Sequence, residues 1–280
     1  MIGIFAHYQK PAAAGLVRNL ADEFRQAGGD FCVEEETARV AGLPAGERLE
    51  KMVERVDVLV VLGGDGTILR LMHRLGPDVP PVFGINIGAL GFLTCYGQEE
   101  CGEAVRSILA KDYEVRLRSL LDVQEGDKPA LAALNDVVVS RGARSQLVKI
   151  RVSVNGDYLT DYNADGLIVA TPTGSTAYSL AAGGPILMPD SGCFVISPIC
   201  PHVLTNRSVV VSDKSLIEIE RLHSEDTILV SVDGRELPNS ETGEPLRITA
   251  SSKKFPLVML PGRTFSDVLR QKLKWAGAVI

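Results

Sequence analysis

A glycine-rich turn holds the acidic residue best placed to do chemistry. The turn reads Gly63-Gly64-Asp65-Gly66-Thr67 and directly follows the apolar run Val56–Leu62. Glycines let the chain turn tightly and bring backbone N–H groups close to a ligand. Where such a turn opens a helix, these amides and the helix dipole favour a bound phosphate. The residues predicted to bind phosphate are Gly63, Gly64, Gly66 and Thr67.

Asp65 has two interpretations. A carboxylate among phosphate-binding amides is electrostatically unfavourable unless it has a task, such as accepting a proton from an attacking hydroxyl or holding a metal ion. The other interpretation is structural, with Asp65 only capping the following helix. The turn is not a P-loop, because no Gly-Lys-Ser/Thr sequence ends it, and it lacks the third glycine of the dinucleotide fingerprint. It indicates phosphate or hydroxyl chemistry without specifying the reaction.

A hydroxyl-rich loop is the second candidate site. It follows the apolar run Gly166–Ala170 and carries five Ser or Thr hydroxyls and one tyrosine, at Thr171, Thr173, Ser175, Thr176, Tyr178 and Ser179. These are more hydroxyls than a connecting turn needs, and they suit the hydroxyls of a sugar and the edges of a base. The structural alternative is that Ser175 or Thr176 only caps a helix.

Two shorter patterns are further candidates. Gly88 and Gly91 permit close backbone approach after the apolar run Val82–Ile85, and Phe92 could pack against a flat ring or belong to the core. Asn135-Asp136 places an amide and a carboxylate at the mouth of an apolar strand. Asn-Asp is also an ordinary turn pair, so both patterns have a structural alternative.

In the first part of the chain, short apolar runs alternate with helical patterns. The predicted elements are a strand over Ile2–Ala6, a helix over Ala12–Ala27, strands over Phe31–Glu35 and Val56–Leu62, a helix over Thr67–Leu75 and a strand over Val82–Ile85. Apolar strands that alternate with helices indicate a parallel sheet covered on both faces. Open α/β sheets bind ligands at the carboxyl ends of their strands, and the Asp65 turn lies at one of these ends.

From about residue 113 the pattern changes to many short strands separated by turn signals such as Asn155-Gly156-Asp157 and Asp233-Gly234. The predicted strands are Glu114–Val123, Ala130–Ser140, Lys149–Val154, Gly166–Ala170, Cys193–Ser197, Ser208–Val211, Leu216–Ile219, Thr227–Val232 and Leu246–Ala250. This spacing is typical of a β-sandwich or a related layered sheet. A final helix is predicted over Thr264–Trp275. We therefore predict an α/β domain of residues 1–97 with 262–280, and a β-rich domain of residues 98–261.

Composition excludes several classes of protein. The 280 residues are 45% hydrophobic and 23% charged, which is ordinary for a globular protein, and the net charge of −6 argues against nucleic-acid binding. The N-terminal residues do not form a signal-peptide pattern, and no apolar run approaches the ~20 residues that span a bilayer. Five cysteines without C-x-x-C spacing predict reduced thiols, a cytoplasmic location and no zinc site. No spacing among the histidines predicts a metal site, so we expect no dedicated protein metal ligands.

Taken together, the motifs resemble those of the bacterial NAD kinase family. The resemblance rests on the Gly63–Thr67 turn, Asn135-Asp136, and Asp165-Gly166 followed by Thr171–Ser179 and Ala182–Pro185. The stretch from Gly84 to Leu93 and the Leu269–Trp275 ending also match, so the likeness covers nearly the whole chain in order. The glycine turn is shared with lipid kinases and, loosely, with phosphofructokinases, whereas the hydroxyl-rich loop is specific to NAD kinases.

The resemblance implies a fold and a reaction. The fold has an α/β N-terminal domain, a β-rich C-terminal domain and a terminal helix that packs back on the first domain. The reaction transfers the γ-phosphoryl of ATP, or a phosphoryl of polyphosphate, to the 2′-hydroxyl of the adenosine ribose of NAD. It requires a divalent metal ion, with Mg²⁺ the expected one, and family members form dimers or tetramers.

The resemblance also implies roles for single residues. Asp65 is the expected proton acceptor for the ribose hydroxyl. The residues expected to bind NAD are Asp65, Gly66, Arg70, Phe92, Asn135, Asp136, Asp165, Thr173, Thr176, Ala177, Tyr178, Ser179, Leu180 and Ala181. Three positions depart from the family pattern: Asp136 stands where many relatives have Glu, Asn163 where some have Arg, and Arg235 where some have Gln.

Two other functions share part of this evidence. A diacylglycerol- or sphingoid-type lipid kinase would share the glycine turn, but the hydroxyl-rich loop suits a polar ligand and no amphipathic membrane-binding helix is evident. A non-catalytic NAD-sensing module would bind NAD without turnover, and Asp65→Asn would leave that binding intact.

Overall fold

The computed structural model of the chain describes residues 1–7, 12–141, 147–203, 205–222, 228–237 and 244–275. Of the sequence-based predictions, the first residue of the Thr227–Val232 strand and one histidine, His223, lie outside these ranges. The chain divides into two compact units, residues 1–117 with 255–280 and residues 118–254.

The elements of the described residues are numbered in chain order. The strands are β1 (Ile2–Ala6), β2 (Phe31–Val33), β3 (Val58–Gly63), β4 (Val82–Asn86), β5 (Glu114–Glu125), β6 (Leu131–Ala133), β7 (Asp136–Arg141), β8 (Val148–Val154), β9 (Asp157–Ala164), β10 (Gly166–Ala170), β11 (Cys193–Ile199), β12 (Val209–Ser212), β13 (Ile217–Arg221), β14 (Ile228–Val232), β15 (Arg235–Glu236) and β16 (Leu246–Met259). The helices are α1 (Ala13–Gln26), α2 (Glu35–Ala41), α3 (Leu49–Met52), α4 (Asp65–Leu75), α5 (Cys101–Ala110), α6 (Tyr178–Ala181) and α7 (Phe265–Leu273).

The first unit is built on a parallel sheet. Its strands lie in the order β2-β1-β3-β4, and the end of β16 pairs with β4 at Leu257 and Val82. All residues of β1, β3 and β4 are buried, as expected for strands covered on both faces. Helix α1 turns Leu16, Leu20 and Phe24 to the core at the i, i+4, i+8 spacing of one helix face. The predicted α/β domain is confirmed.

A helix replaces part of the predicted second strand. The strand was expected to continue to Glu35, but β2 ends at Val33 and α2 begins at Glu35. The reason is local, because the buried Glu34 carboxylate accepts hydrogen bonds from the Thr37 backbone N–H and hydroxyl, both at 2.8 Å, and so caps α2.

The limits of the first unit differ from those predicted at residues 97 and 262. Helix α5 lies in this unit with its Val105 and Ile108 side chains buried, and residues 255–259 complete the parallel sheet. Sequence analysis had assigned both segments to the β-rich domain. Helix α5 received no prediction, and the strand predicted over Leu246–Ala250 runs on to Met259.

The C-terminal helix also belongs to the first unit, which confirms that prediction. Thr264 caps α7, since its hydroxyl accepts from Asp267 N at 3.2 Å and its N–H donates to Asp267 Oδ2 at 3.0 Å. The Phe265 ring lies 6.0 Å from the Phe92 ring, and the Lys272 ammonium donates to the Leu90 carbonyl. Among the described helices, none is long and apolar enough to cross a membrane.

The second unit is a sandwich of two sheets. One sheet is antiparallel, with the order β12-β11-β10-β7-β14-β15, and in the other β16 pairs with β13, followed by β8 and β9. Its core draws buried side chains from both sheets, including Val139, Leu167 and Phe194 from the first and Ile150 and Ile248 from the second. The predicted β-rich domain is confirmed.

Two strands of this unit differ from prediction. The strand expected over Ala130–Ser140 is interrupted at residues 134–135, which gives β6 and β7. Strand β9 was not predicted, because most of its residues are polar and outward-facing and show no apolar alternation. It forms a hairpin with β8 through Asn155-Gly156, whose positive φ angles of 56° and 84° suit the tight turn that the sequence had signalled.

Candidate active site

Strand β3 leads the glycine turn to the N-terminus of α4. Gly64 is the N-cap of this helix and Asp65 its first residue. The Thr67 hydroxyl accepts a hydrogen bond from Gly64 N at 3.3 Å, so two of the groups predicted to bind phosphate are bonded to each other. Gly66 is exposed, and a methyl group placed on it would meet nothing within 4 Å. The open end of the helix, where its dipole favours an anion, is therefore at Gly66.

The Asp65 carboxylate does not cap its own helix, so the structural alternative raised for it is wrong. It accepts hydrogen bonds from three backbone N–H groups of another loop. Phe92 N donates to Oδ2 at 2.8 Å, and Leu93 N and Thr94 N donate to Oδ1 at 3.0 Å and 2.9 Å. The Thr94 hydroxyl donates to Oδ1 as well, at 2.9 Å. Asp65 is half-buried, and these bonds hold its side chain in one orientation beside the open helix end.

The loop that holds Asp65 requires the glycine at position 91. A methyl group on Gly91 would lie 2.0 Å from Asp65 Oδ1, which is closer than any non-bonded contact allows. The Phe92 ring is half-buried and contacts Phe265, so it has both a packed side and an open side. Arg70 lies on α4, on an exposed position one turn beyond Gly66.

In the second unit, most hydroxyls of the loop after β10 have structural partners. Thr171 Oγ1 donates to Leu134 O at 2.6 Å, Ser175 Oγ donates to Pro172 O at 2.6 Å, and Ser179 Oγ lies 3.1 Å from Ser197 Oγ. None of these three side chains has exposed surface. Ser175 and Thr176 do not cap a helix, because the N-cap of α6 is Ala177.

The remaining residues of this loop leave some surface open. Thr176 is half-buried and donates its hydroxyl hydrogen to Thr173 O at 2.9 Å, and Tyr178 is 48% exposed. Ala177 and Leu180 are half-buried and Ala181 is exposed. Ser179 as a whole has no exposed surface, so neither its hydroxyl nor its backbone is accessible to a ligand in this structure.

Asn135 and Asp136 are fixed by an aspartate that sequence analysis did not propose. The Asp233 carboxylate accepts Leu134 N and Asn135 N, both at 2.7 Å, and Asp136 N at 3.0 Å. Asp136 itself is 5% exposed. Burial, and to a smaller extent the nearby charge of Asp233, raises the pKa of the Asp136 carboxyl to about 7. A carboxyl of this kind can donate or accept a hydrogen bond near neutral pH.

The Asn135-Asp136 pair and the hydroxyl-rich loop lie together. Asp136 pairs with Ala170 in the sheet, and Thr171 N donates to Asn135 O at 2.9 Å. A methyl group on Gly174 would lie 2.0 Å from Asn135 O, so the loop packs directly on this pair. These contacts confirm neither ligand role, but they place the amide, the two carboxyls and the open part of the loop at one end of the antiparallel sheet.

Asp165 lies at the other end of that sheet. It precedes β10, whereas Thr171 and Thr173 follow it, and the six steps along the extended chain from Asp165 to Thr171 span about 20 Å. Its carboxylate pairs with Arg141 Nε at 3.0 Å. The structure therefore separates Asp165 from the other predicted NAD-binding residues of this unit.

Thr94 and Asp233 are the residues that sequence analysis missed. Thr94 lies one position beyond the Leu90–Leu93 pattern, and Asp233-Gly234 was interpreted only as a turn signal. The described residues contain no group of three or more His, Cys, Asp or Glu side chains placed to hold a metal ion. The half-buried Asp65 carboxylate beside the open helix end fits Mg²⁺, which proteins often bind through one or two carboxylates together with substrate phosphates and water.

An α/β unit with a carboxylate at a phosphate-type glycine turn, together with a β-sandwich that carries a hydroxyl-rich loop, defines a kinase-type phosphotransferase. Family models agree: residues 2–113 match the ATP-NAD kinase N-terminal domain, and residues 134–260 match the ATP-NAD kinase C-terminal domain. The chain belongs to the NAD kinase family.

Individual relatives agree along nearly the full length. The NAD kinase of Geotalea daltonii is 37% identical over 278 residues, and that of Geobacter metallireducens is 38% identical over 278 residues, with 98% of each chain covered in both cases. Among solved structures, yeast NADH kinase complexed with NADH matches with a TM-score of 0.87 and 26% identity, covering 100% of this chain and 88% of that one. An NAD kinase from Archaeoglobus fulgidus in complex with ATP matches with a TM-score of 0.79 and 25% identity, covering 99% and 100%.

Proposed function

We propose that this protein phosphorylates NAD to NADP at the 2′-hydroxyl of the adenosine ribose, with ATP as the donor and Asp65 as the proton acceptor. The observation that carries the proposal is the Asp65 carboxylate, held beside the open N-terminus of α4 in a chain of this family. A relative solved with ATP and another solved with NADH support the two substrates. Polyphosphate is an alternative donor to be tested.

The proposed step is an in-line phosphoryl transfer. The ribose 2′-oxygen forms a bond to the γ-phosphorus, the bond from that phosphorus to the β,γ-bridging oxygen breaks, and ADP leaves. The hydroxyl proton passes to Asp65. The chain's contribution is positioning and charge stabilisation, since phosphoryl transfer needs little covalent help. The helix end at Gly66 provides amides for the donor phosphates, and a divalent cation, when bound, neutralises negative charge on them.

The second unit is the proposed dinucleotide-binding part. Asn135, Asp136 and the hydroxyl-rich loop offer donors and acceptors at one end of a sheet. The open residues of the loop are Thr176, Ala177, Tyr178, Leu180 and Ala181, whereas Thr173 is buried. Asp165 lies about 20 Å away from them along β10. Asp165 is therefore proposed to contact the NAD that is bound by a second copy of the chain. Such a contact requires a homo-oligomer. The five cysteines are present as thiols, which supports a cytoplasmic location.

The test is an assay of the purified full-length chain, coupled to an NADP-specific dehydrogenase. We expect NADP formation with NAD and ATP plus Mg²⁺, and its loss when EDTA is added. GTP and polyphosphate define donor preference, and NADH and diacylglycerol define acceptor preference. Transfer of labelled phosphate only to diacylglycerol would replace this proposal by a lipid kinase.

Asp65→Asn separates catalysis from binding. We expect this variant to lose about 10²- to 10⁴-fold in kcat, the usual worth of a positioned base, while calorimetric NAD binding persists. Asp22→Asn is the matched control, because Asp22 is an exposed carboxylate that pairs with Arg25 on the same helix. Full activity in Asp65→Asn would refute the proposed base, and a wild type that binds NAD without turnover would indicate a sensing module.

A further inference from the structure

A chain of hydrogen bonds extends from Asp65 into the core of the first unit. Asn86, at the end of β4, donates from Nδ2 to Thr94 Oγ1 at 2.8 Å, and Thr94 Oγ1 lies 2.9 Å from Asp65 Oδ1. Asn86 is 4% exposed and Thr94 has no exposed surface. Water therefore does not compete for the Thr94 hydroxyl, and the protein alone decides its orientation.

The direction of the Thr94 hydroxyl follows from its two neighbours. A threonine hydroxyl has one hydrogen and two lone pairs, and an amide N–H₂ can only donate. Because Asn86 donates to the oxygen, the single hydrogen of Thr94 is available to its other hydrogen-bond partner among the described residues, the Asp65 carboxylate. Asn86 thus fixes Thr94 as a donor to Asp65.

The two carboxylate oxygens of Asp65 are unequally used. Oδ1 accepts three hydrogen bonds, from Leu93 N, Thr94 N and Thr94 Oγ1, whereas Oδ2 accepts one, from Phe92 N. Each carboxylate oxygen has about two lone-pair directions. Oδ1 is saturated, and within the part of the chain that the structure describes, Oδ2 keeps one direction open.

We propose that Thr94, oriented by Asn86, is a positioning residue that saturates Asp65 Oδ1 and leaves Oδ2 as the atom that accepts the substrate proton. The inference rests on the proposed function, because it assigns an atom and two supporting residues to the proposed base. Thr94 contacts Asp65, and Asn86 contacts Thr94. Their role is to hold the carboxylate with Oδ2 in its working direction.

The first test compares Thr94→Val with Thr94→Ser. Valine has nearly the shape of threonine but no hydroxyl, whereas serine keeps the hydroxyl and loses a methyl group. A hydrogen bond to a charged group is worth about 1.5–3 kcal/mol, so we expect Thr94→Val to lower kcat roughly 10- to 100-fold. The KM for NAD is expected to stay within about threefold, and Thr94→Ser to recover most of kcat.

The second test asks whether Asn86 acts through Thr94. In Asn86→Asp the new carboxylate can only accept, so it competes with Asp65 for the Thr94 hydrogen, and kcat is expected to fall. In the double variant Asn86→Asp/Thr94→Val no hydroxyl is left to misdirect, so the loss should be close to that of Thr94→Val alone. Losses that multiply would overturn the part assigned to Asn86.

Failure of this inference can be told from failure of the proposed function. If the wild type forms no NADP with any donor, the proposed function fails and the inference with it. If the wild type turns over and Thr94→Val keeps the same kcat, Thr94 has no positioning role and only the inference is overturned. A rise in KM with unchanged kcat, or a loss that serine does not recover, would also overturn it. Unfolding curves of each variant identify any that fail to fold, and Asn86→Asp then provides the kcat comparison in place of Thr94→Val.

Discussion

The two units each contain an aspartate that organises a distant loop, and the two aspartates do so in nearly the same way. Asp65 accepts three consecutive backbone N–H groups from residues 92–94, and Asp233 accepts three from residues 134–136. Each is followed by a glycine, Gly66 or Gly234. The same bonding pattern therefore occurs once in the parallel α/β unit and once in the β-sandwich.

The surroundings make the two carboxylates different. Asp65 is half-buried beside an exposed helix end, whereas Asp233 is 7% exposed and its charge contributes to the raised pKa of the neighbouring Asp136. A carboxylate that water can reach is available for proton transfer, while one enclosed with three amides mainly holds a segment in place. In the second unit it is the Asp136 carboxyl, with its pKa raised to about 7, that changes its charge near neutral pH.

The largest expected effect is on stability, in Asp233→Ala. Its loss leaves the buried amides of Leu134 and Asp136 and the partly buried amide of Asn135 without their acceptor. Each buried unsatisfied donor costs about 1–3 kcal/mol, so we expect the free energy of unfolding to fall by roughly 3–6 kcal/mol. Asp65→Ala should cost only about 1–2 kcal/mol, since its amides are partly buried and water can replace the carboxylate. Urea denaturation of both variants measures the difference.

Asp233→Asn is the matched control for that comparison. Asparagine tolerates the positive φ of 49° at this position and keeps one acceptor oxygen, so its cost should lie between those of the wild type and alanine. Equal destabilisation by Asp65→Ala and Asp233→Ala would show that the two clamps do the same work, and would remove the distinction drawn between them.

The next effect concerns pH and tests whether Asp136 is the titrating carboxyl. Its pKa is about 7 in the folded protein, against about 3.9 for an aspartate in an unfolded chain. Between these values the folded state keeps a proton that the unfolded state has lost, so this group makes the free energy of unfolding fall as pH rises. The full change is of order 4 kcal/mol, is absent below about pH 4 and is complete above about pH 7.

Asp136→Asn removes this titration while keeping the size of the side chain. The stability of the variant minus that of the wild type should therefore increase from pH 4 to pH 8. Taking the difference cancels the contributions of the carboxylates that do not interact with Asp136. A difference that stays flat across this range would mean that Asp136 is ionised in the folded state throughout, as an exposed carboxylate is.

How far these sites could be predicted from sequence depends on the distance along the chain over which their residues interact. Strand β3 and the glycine turn are adjacent, so one apolar run and its glycines predicted both. The contact between Asp233 and residues 134–136 joins positions that are 97 to 99 residues apart in the sequence. Neither segment has a local pattern that predicts its contact with the other.

The hydroxyl-rich loop shows a related limit of prediction from sequence, here within one short segment. Its composition predicted a polar site, but composition does not say which hydroxyls face inward, and Thr171, Ser175 and Ser179 are enclosed. The separation of Asp165 from Thr173 was readable in principle, because a five-residue strand lies between them. The length of this strand would have shown that the two residues lie far apart. The family resemblance instead assigned both of them to one ligand.

The smallest expected effect compares the two glycines that seat these loops, Gly91 and Gly174. In each case a methyl group would lie 2.0 Å from an oxygen, but for Gly91 the atom is Oδ1 of the Asp65 side chain and for Gly174 it is the backbone carbonyl of Asn135. A side chain can rotate away, whereas a backbone carbonyl in a sheet connection cannot. We therefore expect Gly174→Ala to lower the free energy of unfolding by about 1–3 kcal/mol, as overpacking does, and Gly91→Ala to cost less.

Because Gly91→Ala relieves its clash by moving Asp65, it should lower kcat more than its stability loss explains. The folded fraction of Gly174→Ala should retain a kcat nearer that of the wild type. Parallel unfolding curves and NADP assays measure both quantities, and a pair of variants with equal losses in each would mean that the two loops are equally rigid.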